Sequence, residues 1–201
     1  MKLFYKPGAC SMASHIALLE IGQAFDIEAV DTIEGRTASD EDFLQINPKG
    51  YVPVLELGEG EILTEGPAIL QFLADRNQAA NLAPKPGTMA RARMMEMLTF
   101  TSSELHKAFG PLFRDASSPE EKAKARQAVA QKFDTVEKEL KDGRLYVTGE
   151  QFSIADAYLF VVANWANFTD IDLARWPKLS DFVARIADRP TVKAAFQREG
   201  F

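Results

Sequence analysis

A change of pattern near residue 80 is the feature that most constrains the fold of this chain. Before it, short segments follow one another in the order strand, helix, strand, helix, strand, strand, helix. Strand 2–5, a helix in which Met12, Ile16 and Leu19 recur at helical spacing, and strand 25–30 form a unit that is typical of a parallel crossover. After a proline-containing linker at about 77–88, nearly every segment has helical spacing. We therefore predict an α/β domain at residues 1–80 and an all-α domain at residues 81–201.

Helix starts are marked clearly in the second part. Ser118 followed by Pro119 and Glu121 is a capping box. In this motif the side chain of each end residue accepts a hydrogen bond from the backbone N–H of the other. Ser153 and Asp156 form a second box, with Asp in place of Glu, before a helix that is apolar almost all round. Such a helix is expected in the centre of a core.

Composition excludes several classes of protein. The 201 residues are 46% hydrophobic and 26% charged, which indicates an ordinary globular protein. One cysteine cannot form an internal disulfide, which favours a reducing compartment. The net charge of −6 and the lack of a Lys/Arg run argue against nucleic acid or anionic membrane as a partner. The start of the chain has no signal-peptide core, and the most apolar segment, 157–165, is about half of the ~20 residues of a membrane span. We expect a cytoplasmic protein.

Cys10 directly follows the Pro7-Gly8-Ala9 turn, where the first helix must begin. The unpaired amides and partial positive charge of a helix start favour a thiolate, which is the reactive form of cysteine. A lone cysteine can equally be a small buried hydrophobic residue. Position alone leaves both interpretations open.

Two positions of the α/β part could bind a peptide. Pro53 interrupts a predicted strand at 51–57. A cis bond after Val52 would turn that residue's amide and carbonyl toward a peptide ligand, but an ordinary edge-strand proline is the interpretation that spacing favours. Glu65 and Gly66 open a helix, where amides could receive a carboxylate and the Glu65 side chain an ammonium group. Alternatively, Glu65 only complements the helix dipole.

A third group lies on the long helix after the linker. Thr99, Ser103 and His106 are spaced so that a regular α-helix would place them on one face. They could border a cleft, where a histidine can donate a hydrogen bond to a thiolate or move a proton near pH 7. A solvated helix face is the alternative explanation. With two histidines and one cysteine in the chain, we predict no metal site.

Five strings taken together resemble one known family: KLFYKPGACS, NPKGYVPVLEL, LTEGPAI, SSELHK and SIADAYLF. In this order they are similar to the bacterial glutathione S-transferases of the beta class, over essentially the whole chain. The resemblance implies a thioredoxin-like N-terminal domain, an all-helical C-terminal domain and a homodimer with one glutathione site per subunit.

The resemblance also implies roles for individual residues. Cys10 matches the cysteine that faces the glutathione sulfur and can form a mixed disulfide with it. Asp156 matches a capping box that we assign to folding. The other positions are implied near the sulfur (Tyr5, Ser11), along the cysteinyl unit (Val52, before Pro53), at the γ-glutamyl end (Glu65, Gly66) and in the helical segment over glutathione (Ser103, Glu104, His106, Lys107).

Three positions depart from the family pattern. Arg36 stands near the place of a lysine that binds the glycyl carboxylate, and its guanidinium suits such a carboxylate. Thr99 replaces an asparagine that contacts glutathione in the family. Tyr51 replaces a glutamine, which changes the wall of the expected cleft.

The implied activity is conjugation of the glutathione thiolate to small apolar electrophiles, with glutathione as co-substrate. Because Cys10 stands at the helix start, thiol transfer through a mixed disulfide is a second expected chemistry. A non-catalytic carrier of apolar ligands on the same fold is the alternative, although a carrier needs no combination of Cys10, Glu65 and His106.

Overall fold

The computed structural model describes residues 1–58 and 60–201 and forms two compact units. The first comprises residues 1–83 and 189–201, and the second comprises residues 84–188. Glu59, in the predicted hairpin turn 58–60, lies outside the described residues. The division into folding domains at residues 80 and 81 stays a prediction.

A five-stranded mixed sheet forms the centre of the first unit, in the order β3-β2-β1-β4-β5. The strands are β1 (Lys2–Tyr5), β2 (Asp26–Asp31), β3 (Arg36–Thr37), β4 (Val54–Gly58) and β5 (Glu61–Thr64). β1 pairs in parallel with β2 and antiparallel with β4, as a thioredoxin-like sheet requires. The predicted parallel crossover at the start of the chain is confirmed.

Helices in the first unit are α1 (Met12–Ile21), α2 (Phe43–Ile46), α3 (Gly66–Arg76) and α9 (Pro190–Glu199). α1 is the crossover between β1 and β2, and it packs against α3 and α9. It ends at Gly22, which has a φ of 74° and donates its N–H to Leu18. A glycine tolerates this left-handed conformation, which is why the helix stops there.

The edge-strand interpretation of Pro53 is wrong. The Val52–Pro53 peptide bond is cis, and β4 begins only at Val54. β4 also lies inside the sheet, between β1 and β5. Because proline has no N–H to donate to a ladder, the strand starts after it rather than containing it.

The second unit is helical. Its helices are α4 (Met89–Phe100), α5 (His106–Phe109), α6 (Pro119–Glu139), α7 (Ile154–Asn164) and α8 (Pro177–Ala187). α7 is buried at every position from 154 to 163, as its all-round apolar sequence predicted. A π-helical segment, Thr101–Leu105, joins α4 to α5. No helix within the described ranges has both the length and the apolar character needed to cross a membrane.

Both predicted capping boxes are present. At the start of α6, Glu121 Oε2 accepts from the Ser118 N–H at 2.7 Å and Ser118 Oγ accepts from the Glu121 N–H at 3.2 Å, on an exposed surface. At the start of α7, Asp156 is fully buried, and burial raises its carboxyl pKa to about 6 against the lowering effect of the hydrogen bonds it accepts. The same motif therefore occurs once in solvent and once in a core.

Candidate active site

Cys10 lies in the turn between β1 and α1, two residues before the helix begins. Its Sγ donates to the Val52 carbonyl oxygen at 3.7 Å, which brings together two residues 42 positions apart. The residue is only partly buried. The structure therefore places the single cysteine beside the loop that was expected to bind a peptide backbone.

The loop around Val52 is shaped by Asn47, a buried residue that the sequence analysis did not select. Asn47 Nδ2 donates to the Tyr51 carbonyl at 2.8 Å, and Asn47 Oδ1 accepts from the Lys49 N–H at 3.2 Å. Within residues 1–58 and 60–201, the Val52 N–H donates to no acceptor. This amide can therefore pair with an extended peptide.

Tyr5 and Ser11, expected near the sulfur, are both buried. The Ser11 hydroxyl accepts from the Lys6 N–H at 3.2 Å and donates to the Lys6 carbonyl at 3.3 Å, so that it closes the loop before α1. Burial, supported by the negative charge of Glu199, raises the pKa of Tyr5, so its phenol stays protonated at neutral pH. The roles of both residues at the sulfur stay predictions.

A buried hydrogen bond supports the same loop, and neither of its two partners was predicted from the sequence. His15 Nδ1 lies 2.9 Å from Glu199 Oε1, with both side chains fully buried. The other oxygen of Glu199 accepts from the Gly8 N–H at 3.1 Å, two residues before Cys10. The partners are 184 residues apart, which no local pattern can reveal.

Glu65 is the acceptor at the centre of an exposed cluster. Its Oε1 accepts from Lys49 Nζ at 3.0 Å and from Tyr51 Oη at 2.5 Å. The Lys49 ammonium group also donates to Thr64 Oγ1 at 3.0 Å and lies 5.7 Å from the centre of the Tyr51 ring. The hydrogen bond that each of them donates to Glu65 is the main cause that raises the pKa of Lys49 and the pKa of Tyr51.

The backbone of Glu65 is strained, because φ is 69° and ψ is 108° at a residue with a side chain. Such conformations persist where the surrounding structure holds them, and they concentrate at ligand sites. Gly66, the first residue of α3, donates its N–H to no acceptor within residues 1–58 and 60–201. A carboxylate can bind at this amide.

Arg36 lies apart from these groups, on the edge strand β3 at the opposite side of the sheet from β5. Its Nη1 donates to the Asp40 carbonyl at 3.1 Å, and its Nε lies 3.9 Å from the Asp40 carboxylate. The structure does not bring Arg36 into contact with Val52 or Glu65. Its role toward a glycyl carboxylate stays a prediction.

In the second unit, His106 packs against aromatic rings rather than solvent. Its Nδ1 lies 3.1 Å from Tyr158 Oη, and its ring meets Trp165 edge-on with centroids 4.9 Å apart. Burial, with a smaller contribution from the Lys107 charge, lowers the pKa of His106 to about 4. A proton shuttle near pH 7 does not fit this value. A neutral imidazole that accepts at Nδ1 from Tyr158 still has its Nε2–H to donate.

The prediction that Thr99, Ser103 and His106 share one face assumed a regular α-helix. That assumption is wrong. The π-helical segment Thr101–Leu105 lies between Thr99 and His106, so the chain between them does not have the α-helical geometry that the prediction assumed. Thr99 and Ser103 are exposed, with Ser103 Oγ donating to the Thr99 carbonyl at 2.9 Å. Glu104 and Lys107 are exposed too, and Glu104 pairs with Lys132 at 2.6 Å. The solvated-face explanation therefore fits all of these residues except His106.

His106 should titrate far below an ordinary histidine. Its folded-state pKa of about 4 is below the usual value of 6.5, so the unfolded chain binds the proton more tightly between these pH values. Stability from this group is complete above about pH 6.5 and is lost as the pH falls toward 4, by roughly 3 kcal/mol in total. An NMR titration of the imidazole should give a midpoint near 4. A midpoint near 6.5, or a His106→Gln variant with the same acid-unfolding profile as the wild type, would contradict this.

Comparisons with known proteins agree with this architecture. Residues 1–75 match the model of the glutathione S-transferase N-terminal domain, and residues 100–190 match that of the C-terminal domain. Glutathione S-transferase GstA of Escherichia coli O157:H7 is 42% identical over 200 residues, covering 100% of this chain and 99% of that protein.

Two solved structures are also similar over their full length. A sphingomonad glutathione S-transferase complexed with glutathione is 48% identical with a TM-score of 0.95, and the match covers 100% of both chains. The beta-class enzyme of Sphingomonas chungbukensis is 48% identical with a TM-score of 0.95, covering 100% of this chain and 99% of that one. The chain therefore belongs to the glutathione S-transferase family, within its bacterial beta class.

Proposed function

We propose that this protein catalyses conjugation of glutathione, through its thiolate, to small apolar electrophiles. The observation that carries the proposal is the position of Cys10 Sγ, 3.7 Å from the carbonyl of Val52, whose own N–H is available to a peptide. A tripeptide paired with Val52 along its cysteinyl unit has its sulfur near Cys10. Family membership supports the same chemistry, and a non-catalytic carrier is not favoured.

The remaining roles follow from charge and hydrogen-bonding capacity. Glu65 suits the ammonium group of the γ-glutamyl end, and the Gly66 amide suits its carboxylate. His106 acts as a neutral hydrogen-bond donor. The other proposed glutathione contacts are Arg36, Tyr51, Pro53, Thr99, Ser103, Glu104 and Lys107, while Tyr5 and Ser11 support the sulfur site.

Thiol transfer is a second activity that the partly buried Cys10 supports, since its sulfur is not fully enclosed. The Cys10 thiolate attacks the glutathionyl sulfur of a mixed disulfide, forms a disulfide with glutathione and releases the other thiolate. The thiolate of a second glutathione then attacks this disulfide, which yields oxidised glutathione and restores Cys10. Each step exchanges one thiolate for another, so no outside oxidant is needed.

The proposed setting is a homodimer in the cytoplasm. Glutathione is abundant as the free thiol in reducing compartments, and a single functional cysteine must stay reduced there. Removal of reactive apolar compounds is the role that such a conjugation would serve.

A glutathione titration followed by an assay with an aryl halide tests the proposed function. We expect saturable binding of glutathione and turnover of the halide that depends on the enzyme. S-methylglutathione is the matched control, since it keeps the peptide but has no thiol, and it should bind without reacting. Glutathione binding without turnover over a wide panel of electrophiles would favour the carrier instead.

A further inference from the structure

The exposed cluster of Lys49, Tyr51 and Glu65 has the composition of a receptor for an amino-acid zwitterion. Glu65 offers a carboxylate, and Lys49 offers an ammonium group 3.0 Å away, with 56% and 49% of the two side chains exposed. A γ-glutamyl group carries the complementary pair on one carbon atom, an ammonium and a carboxylate. Both members of the protein pair are thus accessible to the ligand.

Lys49 and Glu65 neutralise each other in the ligand-free chain. An exposed ion pair of this kind contributes little to stability, because water and salt screen it, so opening it costs little. Opening it with a zwitterion replaces one ion pair by two, with Glu65 on the ligand ammonium and Lys49 on the ligand carboxylate. The Tyr51 hydroxyl, which also donates to Glu65 Oε1, holds the acceptor oxygen in place during this exchange.

We propose that Lys49 binds the α-carboxylate of the γ-glutamyl unit, by exchanging its partner Glu65 for the ligand. This inference rests on glutathione being the co-substrate. Lys49 would select for the free α-carboxylate by its positive charge. The Gly66 amide is a neutral hydrogen-bond donor and supplies no such charge. It also explains why the ammonium group of Lys49 is held at the start of α3 by Thr64 and Glu65 together.

Three ligands distinguish binding of the γ-glutamyl ammonium group from binding of its α-carboxylate. Glutathione carries both, its glutaryl analogue lacks the amino group, and its 4-aminobutyryl analogue lacks the α-carboxylate. Dissociation constants are measured by calorimetry for the wild type, Lys49→Met and Lys49→Arg. Lys85→Met removes the same charge from an exposed position outside the cluster and serves as the control.

For Lys49→Met we expect about tenfold weaker binding of glutathione and of the glutaryl analogue, the size of one charge-assisted hydrogen bond at an exposed site. The 4-aminobutyryl analogue should bind as tightly as to the wild type or more tightly, because Glu65 has lost a competitor for the ammonium. Lys49→Arg should restore most of the affinity for glutathione, and Lys85→Met should change nothing.

Two results would overturn the inference alone: wild-type affinity of Lys49→Met for all three ligands, or an equal loss for all three. Thermal unfolding of the variant shows that the fold is intact in either case. A wild-type protein that binds none of the ligands would instead overturn the proposed function and the inference with it.

Discussion

Replacing Cys10 with alanine is expected to abolish thiol transfer, with a loss of at least about a thousandfold in kcat/KM. The chain has one cysteine, so no other thiol can form the disulfide with glutathione. Conjugation should fall much less, by about tenfold or under, because its nucleophile is the sulfur of glutathione itself. Reduction of 2-hydroxyethyl disulfide measures the first activity, and an aryl halide measures the second.

Cys10→Ser is the matched control for this variant. A serine keeps a polar hydroxyl donor in the place of the thiol, beside the Val52 carbonyl, but it cannot form a disulfide. Thiol transfer should therefore be lost in both variants, while conjugation should be closer to the wild type in Cys10→Ser. Thiol transfer that persists in either variant would show that Cys10 is not the nucleophile. Intact-mass measurement after incubation with oxidised glutathione should show an adduct on the wild type only.

The parts of this fold that could be predicted from sequence depend on neighbouring residues. The parallel crossover, the glycine end of α1 and both capping boxes are signalled within a few positions, because their hydrogen bonds join residues close in the chain. The start of β4 after Pro53 could not be placed, since the identity of a central strand depends on partners elsewhere in the sheet.

The candidate site was predictable in its residue types but not in its contacts. Cys10 and Val52 were selected separately, and only the fold shows that they meet. Lys49 was missed because a lysine in a Pro-Lys-Gly turn gives no signal of its partner 16 positions away. The π-helical segment was missed because it changes helix geometry without a glycine or proline to mark it. Long-range pairing and local helix geometry are therefore what the sequence left undetermined.

Asp156→Ala should strongly destabilise the helical unit. Asp156 Oδ1 accepts from the Val147 N–H at 2.8 Å, and Oδ2 accepts from both the N–H and the hydroxyl of Ser153 at 2.8 Å. The residue is fully buried, so alanine leaves these donors without an acceptor and without water. We expect a loss of about 3–5 kcal/mol in the free energy of unfolding.

Glu121→Ala is the control that separates the effect of burying the capping carboxylate from the effect of capping itself. Glu121 occupies the same position of a capping box at the start of α6 and accepts from the Ser118 N–H at 2.7 Å, but on an exposed surface where water replaces the lost acceptor. The urea midpoint of unfolding of the Glu121→Ala variant should stay near that of the wild type, while the midpoint of Asp156→Ala should fall sharply. Equal shifts in the two variants would contradict the argument, because they would mean that local capping rather than desolvation of the donors sets the cost. An unchanged rate of conjugation per folded molecule in Asp156→Ala would in turn assign this carboxylate to folding rather than to chemistry.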